Sequence, residues 1–383
     1  MKGYFVTGAT GALGSALVPV LLEEPDTEVH LLVRARDAAE LQRRLDALFA
    51  FWDQPELETA RRRRLHVLAG DATLPRFGLQ AIEFETLLHT VTDIVHAAGA
   101  VRMNLPIEAA RRSALGSAEQ VLSLAEQLSG RGRLGKLEFV STVGVGGRTS
   151  VVPEHWIETP RAFHNTYEQS KAEAEVLVRQ HVNRGLPITV HRPSMIIGDS
   201  RDGRIQHFQV FYHLCEFLSG ARTFGLFPSL EGAELDVVPA DYVARMIAWS
   251  SVTPGLSGGV LHECSGPEGA LPLTDLRKLL APMWRAEGKT VRQIAELPDA
   301  LFRAVPRLVA WALGERARRG LATLPIFLDY LRTRQQFENA VSRESVEAGG
   351  GPALPHWDAY VHRALNYYLQ SQRQGPPGRA RPG

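Results

Sequence analysis

An α/β fold, with a doubly wound parallel sheet and a smaller, mostly helical region after it, is predicted by three features of this sequence. Short apolar runs alternate with longer amphipathic ones over the first two-thirds of the chain. The runs are rich in Val, Ile and Leu with little polar alternation, as strands buried on both faces are. The first run passes at once into a glycine-rich turn that opens a helix pattern.

In order, the strand candidates are residues 4–7, 29–33, 66–69, 94–97, 137–141 and 188–191. Between the first two, Leu13, Ala16, Leu17, Val20 and Leu21 keep the i, i+3, i+4, i+7, i+8 spacing of one helix face. Pro19 lies inside that pattern without a backbone donor, which predicts a local conflict or kink. Leu41, Leu45, Leu48, Phe49 and Trp52 share a second helix face. After residue 200 the pattern changes. Residues 204–218, 273–284, 301–320 and 357–368 read as helices, the third basic and interrupted by Pro306. Residues 259–263 read as a strand returning to the main sheet. The chain thus divides into residues 1–200 with returns near 235–265, a region 201–370, and a tail 371–383. The tail's Pro, Gly and Arg content predicts disorder.

Composition excludes several classes. Lys and Arg number 43 against 42 Asp and Glu, so bulk electrostatic binding to nucleic acid is not expected. The two cysteines, Cys215 and Cys264, are far apart and match no metal-ligand spacing. They suit a reducing, cytoplasmic setting. A strand pattern begins almost at the first residue, leaving no room for a targeting peptide. No apolar run approaches the ~18 residues of a spanning helix.

The glycine-rich turn reads Thr7-Gly8-Ala9-Thr10-Gly11-Ala12-Leu13-Gly14. Glycine lets the backbone turn tightly and approach a pyrophosphate, and the following helix aims its free N–H groups at the phosphates. A dinucleotide site follows, and with it a fold of the Rossmann type. The second strand ends Val33-Arg34-Ala35-Arg36, where an NAD site usually carries an acid for the ribose hydroxyl. Arginine suits a 2′-phosphate, so NADPH is expected over NADH. Arg34 is the favoured contact and Arg44 the second candidate, though Arg36, Arg43 and Arg44 also read as a solvated helix face. Asp71 and Ala72, after the third strand, either meet the adenine or form a turn. Ala97, Ala98 and Gly99, after the fourth, are small enough for cofactor to lie against them, or for close helix packing.

Two further segments carry chemistry. Ser141 and Thr142 end a strand. Tyr167 and Lys171 lie four apart and share one helix face. A carbonyl accepting hydride needs a proton. A free tyrosine, at about 10, is poorly matched to that task at neutral pH. A nearby ammonium is expected to lower it. Lys171 can also reach the nicotinamide ribose. Thr142 would orient the substrate oxygen, with Ser141 as the alternative and a second cofactor contact.

These elements together resemble the extended short-chain dehydrogenase/reductase family over residues 3–265. The elements are the Thr7–Gly14 turn, Gly70-Asp71, His96 to Gly99, Ser141-Thr142, Tyr167 to Lys171, and Arg192-Pro193-Ser194. Within it, the sequence most resembles the branch of thioester reductases, carboxylic acid reductases and fatty acyl-CoA reductases. That rests on Leu32 to Ala35 with Arg44-Leu45, on Gly70 to Leu79, on His191 to Ser200, and on Val237 to Val243. The resemblance implies NADPH-dependent reduction of an acyl thioester, on coenzyme A or a carrier protein, to an aldehyde or alcohol. It implies that Arg192, Pro193 and Ser194 pass near the nicotinamide carboxamide, although Pro193 equally suits a strand terminator. It also marks a departure, since Ser113 stands where the family often has an Asn that supports the lysine. By the same analogy a dimer would pack the tyrosine-bearing helix on its copy through Ala172, Ala174 and Val178.

Asp241 reads as a helix N-cap. Asn165 reads as a substrate contact or a loop residue. Phe208, Val210, Phe211, Leu214, Phe217, Leu218, Phe224 and Phe227 either line a pocket for a hydrophobic acyl or carbonyl substrate or form core. The basic helix pattern at 301–320 either packs, docks an acyl carrier protein, or touches a membrane surface. No metal site is expected. The rival readings are a ketone or alcohol oxidoreductase on a lipid or sterol-like substrate, a sugar-nucleotide epimerase or dehydratase, and a non-catalytic NADP-binding regulator.

Overall fold

Runs of Val, Ile, Leu and Phe buried on both faces can only pair with one another, and seven of them do. The computed structural model describes residues 2–52, 62–220, 225–227, 232–292, 295–296 and 334–374. The main-sheet strands are β1 (Lys2–Thr7), β2 (Thr27–Val33), β3 (Leu65–Ala69), β4 (Asp93–His96), β5 (Lys136–Val140), β6 (Ile188–Pro193) and β7 (Val260–Glu263). Their order is β7-β6-β5-β4-β1-β2-β3, and every pairing is parallel. All six expected strands and the returning seventh are present. The strand order reverses between β1 and β4, and a crevice opens there beyond the carboxyl ends.

Helices cover both faces because alternate strand residues point to opposite sides. On one face Phe5, Leu32, Ile94, Phe139 and Val190 pack under α3 (Ala81–Thr90), α4 (Ile107–Gly130) and α5 (Thr166–Asn183). On the other, Val6, Leu31, Val95 and Leu261 pack under α1 (Ala12–Leu21), α2 (Ala38–Trp52) and α7 (Ala240–Val252). Each such side chain contributes about 1.5–3 kcal/mol by leaving water. A third apolar cluster joins α6 (Val210–Leu218), α8 (Leu273–Ala286) and, after α9 (Ala340–Gly349), α10 (Val361–Gln374). It is the smaller, mostly helical region.

Several expectations need correction. Helix α1 runs through Pro19. Proline cannot donate to the Ser15 carbonyl four residues back, and the Trp52 indole donates to it instead at 2.7 Å. The helix expected over 204–218 begins only at Val210. Asp241 is not an N-cap: Pro239 occupies that position, and the Asp241 carboxylate accepts from the Ser200 N–H and hydroxyl, each at 2.7 Å. The pattern at 357–368 splits into a 3₁₀ turn, Trp357–Ala359, and α10, which continues to Gln374. Ala172, Ala174 and Val178 are buried within the chain, the latter two in the core beside α4, so they offer no dimer surface. The 301–320 pattern, Phe224 and residues 375–383 lie outside the described residues. Among the described residues no helix is long and apolar enough to cross a membrane.

Candidate active site

The glycine turn sits where the sheet order reverses. Gly8 has φ +79°, and a Cβ there would fall 2.6 Å from the Ala97 carbonyl carbon. A Cβ on Gly14 would fall 2.2 Å from the Gly8 oxygen. A larger residue at Gly8 would force the turn away from the end of β4, and one at Gly14 would force α1 away from the turn. Gly11 is the N-cap of α1, with no side chain bonded to the helix N–H groups and no acid in the first turn. That end is therefore free to meet an anion.

A cleft of about 1020 Å³ opens above this floor. Its walls include Gly8, Gly11, Ala12, Leu13, Gly14, Ala97, Gly99, Ser141, Thr142, Tyr167, Lys171, Pro193 and Ser194. The fold thus converges most of the expected residues from five separate segments.

The remainder lie elsewhere. Thr7 is fully buried and turned toward β4, bonding His96 Nδ1 at 2.8 Å and accepting from Ala98 N–H at 3.3 Å. Thr10 presents its carbonyl to His207 Nε2 at 3.0 Å. Arg34 follows β2 with a side chain 72% exposed, and its nearest charge is Asp71 at 3.8 Å. Asp71 forms a turn, its Oδ1 accepting from the Thr73 N–H at 2.9 Å and hydroxyl at 2.8 Å. Ala72 packs against the core. Arg44 is held by Glu40 at 2.8 Å, and Glu40 also holds Arg36 at 2.8 Å. The two guanidiniums, Arg36 first, draw the Glu40 carboxyl down to about 2.

Thr142 and Tyr167 meet directly. Asn165 caps α5, its Oδ1 accepting from Glu168 N–H at 3.0 Å, so it is a positioning cap for the next turn. Tyr167 follows on the first turn, with its phenol beside the Thr142 hydroxyl. Thr142 Oγ1 also accepts from Gly144 N–H at 3.2 Å. Burial pushes the Tyr167 phenol up to about 12, against the pull of the neighbouring Thr142 hydroxyl, and Glu168 pushes the same way as burial. The expected lowering is therefore not the balance seen; desolvation wins. Lys171, one turn on, donates to the Val140 carbonyl at 2.9 Å and lies over the Phe139 ring. Burial lowers it to about 8, partly opposed by Glu175. Ser113 Oγ accepts from Ala100 N–H at 2.9 Å, which steadies the segment after β4.

The buried Ser141 hydroxyl has no hydrogen-bond partner among the described residues, although it lines the cleft. With the glycine floor and the uncapped helix end, it fits a nicotinamide dinucleotide. Arg192 does not join the site: it is fully buried, paired to Glu175 at 2.6 and 2.9 Å.

Sequence reading missed several wall residues. Asp236 is one. It accepts from Ser265 and Gly266 N–H at 2.8 and 2.9 Å, and burial pushes it up to about 6. Its signal is its place just before the Val237-Val238-Pro239 run. His207, Gln335 and Phe337 carry no local signal, because only the tertiary fold brings them there. Phe208, Val210 and Phe217 line the cleft, whereas Phe211, Leu214, Leu218 and Phe227 are core.

Residues 6–247 match the family described as male sterility protein, an NAD-binding family. The chain is 31% identical over 257 residues to a linear gramicidin synthase of Brevibacillus parabrevis, covering 65% of this chain and 5% of that one. The first curated relatives are all far longer, and the match spans between 5% and 36% of their length. Among solved structures, the terminal R domain of the myxalamid PKS-NRPS pathway superposes with a TM-score of 0.77 at 24% identity, covering 97% of this chain and 91% of that one. The reductase domain of a nonribosomal peptide synthetase from Mycobacterium tuberculosis gives 0.70 at 25% identity, covering 98% and 92%.

Proposed function

The chain belongs to the male sterility protein family, and from that premise we propose that it is an NADPH-dependent reductase of acyl thioesters that releases an aldehyde. One observation carries the reading: Thr142, Tyr167 and Lys171 share a cleft with a glycine floor and a free helix end. The cleft, at about 1020 Å³, is at the top of the usual ~300–1,000 Å³ range for small-molecule sites. That leaves room for a substrate arm beside a dinucleotide.

When bound, the reduced nicotinamide supplies a hydride to the thioester carbonyl carbon. Thr142 and Tyr167, which line the same wall of the cleft, would donate their hydroxyls to the carbonyl oxygen. Burial keeps Tyr167 protonated, so it can give its proton as the oxygen becomes negative. Lys171, anchored by the Val140 carbonyl, places an ammonium beside that charge. The resulting hemithioacetal collapses: the C–S bond breaks, the hydroxyl proton is lost, and aldehyde and free thiol remain. Ser141 is the candidate partner for the nicotinamide ribose or amide.

Arg34 supports NADPH over NADH, because a mostly exposed guanidinium at the end of β2 is available to a 2′-phosphate. Arg44 is available only if Glu40 releases it. The chain matches a small segment of a far longer peptide synthase, which favours a carrier protein as the acyl donor. Two buried free thiols suit a cytoplasmic setting.

The test is NADPH oxidation, followed by absorbance, with an acyl-CoA, the same acyl group on a carrier protein, the matching aldehyde, and NADH in parallel. Thioester-dependent oxidation with aldehyde formed, and NADPH preferred, is expected. Turnover of ketones or aldehydes with every thioester inert would overturn the proposal.

A further inference from the structure

Strands β2 and β3 form one edge of the sheet, and the N-terminal half of that edge carries an unusual polar group. Glu28 and His30 are two apart on β2, so they share a face. His66 on β3 is in direct register with His30. The two imidazoles stack with centroids 4.7 Å apart. One donor atom from each of Glu28, His30 and His66 lies within 4.8 Å of the others. His30 is 4% exposed, and its Nε2 is buried without a hydrogen-bond partner among the described residues; His66 Nε2 likewise lacks one, with Glu28 Oε2 3.5 Å away.

Two buried ring nitrogens without hydrogen-bond partners are costly in a folded protein, at ~1–3 kcal/mol each. Both belong to residues that can ligate a metal, and a donor atom of each ring lies within 4.8 Å of the other and of a Glu28 oxygen. We propose that Glu28, His30 and His66 form a binding site for a borderline divalent transition-metal ion, zinc being the first candidate, that pins β3 to β2.

Two imidazoles and one carboxylate are a common zinc set, with water in the fourth position. Tetrahedral coordination at ~2.0–2.2 Å needs donors closer than 4.8 Å. His66 and Glu28 are 43% and 34% exposed and can swing inward, while buried His30 fixes the position. A hard ion such as magnesium would not prefer imidazoles. The site lies toward the opposite end of β2 from Arg34, so its role would be to secure an edge strand, not to act in the cleft.

The experiment is calorimetric titration of the EDTA-dialysed full chain with zinc chloride, repeated on His66→Ala and Glu28→Gln. Cobalt substitution gives a ligand-field spectrum as a second readout. One equivalent bound by the parent protein, weakened at least about tenfold in both variants, is expected. The thermal midpoint should rise with zinc more in the parent than in either variant, and NADPH oxidation should be unchanged. Glu28→Gln changes no buried group, so it remains informative if His66→Ala folds poorly. No binding by the parent protein, or parent-like binding by either variant, would overturn the proposal.

Discussion

Replacing Tyr167 with Phe should separate chemistry from folding, because the structure sets very different magnitudes for the two. The substitution removes one oxygen and keeps the ring. The Tyr167 hydroxyl stands beside Thr142, whose Oγ1 still accepts from Gly144 N–H at 3.2 Å after the change. No buried acceptor is left bare, so the folding cost should stay near 0.5–1.5 kcal/mol, about the net value of one hydrogen bond. Relief of the buried phenol's desolvation acts in the opposite direction. The catalytic cost is larger. Loss of a positioned general acid is worth about 10²–10⁴ in rate, or roughly 2.7–5.5 kcal/mol of barrier. Steady-state NADPH oxidation with a thioester should therefore fall by two to four decades, while urea unfolding shifts little. Thr142→Val should lose less, since Tyr167 remains. A Tyr167→Phe protein that turns over within about tenfold of the parent would refute the assignment of the proton donor.

Three other outcomes follow from the geometry. Lys171 is lowered to about 8 by burial, so its ammonium is present below that pH and lost above it. The rate constant kcat/KM should be level below pH 8 and fall as pH rises through it; a level profile to pH 10 would exclude Lys171 as a required cation. Arg34→Ala should raise KM for NADPH about 10–100-fold, the loss of a charged hydrogen bond, and leave KM for NADH unchanged; equal effects on both would place the 2′-phosphate elsewhere. Trp52→Phe should cost about 1–3 kcal/mol in urea unfolding by stranding the Ser15 carbonyl, and the cost should shrink when Pro19→Ala restores a backbone donor; additive effects would show that the indole bond does not compensate for the proline.

The sheet was legible because its determinant is local. Each strand is a run such as Val29 to Val33, buried by any partner of the same kind, and periodicity alone identifies it. The glycine turn was legible for a related reason: Gly8 and Gly14 answer to backbone clashes that admit no side chain. Helix ends were less so. The place of Asp241 depends on a long-range bond between Ser200 and Asp241, 41 residues apart. No short window of sequence contains it. The same holds for Pro19, whose conflict is answered by Trp52 from the next helix.

The site divides along that same line. Tyr167 and Lys171 are one helical turn apart, so their alignment is a property of α5 alone. Their ionisation is not. Spacing predicts a tyrosine lowered by the lysine, but desolvation of the two buried groups raises one and lowers the other. Burial also explains the polar residues that stand at ordinary strand positions in the sequence. Glu138, His191 and Glu263 meet across β5, β6 and β7, where His191 bonds both carboxylates and is raised to about 9, its burial outweighed by the two acids. His30 and His66 are the same kind of cross-strand meeting at the far edge, but there neither Nε2 makes a hydrogen bond among the described residues, and the Glu28 carboxylate stands 3.5 Å from His66. That contrast favours a metal ion over simple packing at Glu28, His30 and His66. Where His191 is buried against carboxylates both of its nitrogens are satisfied, whereas the edge pair keeps donor atoms to offer.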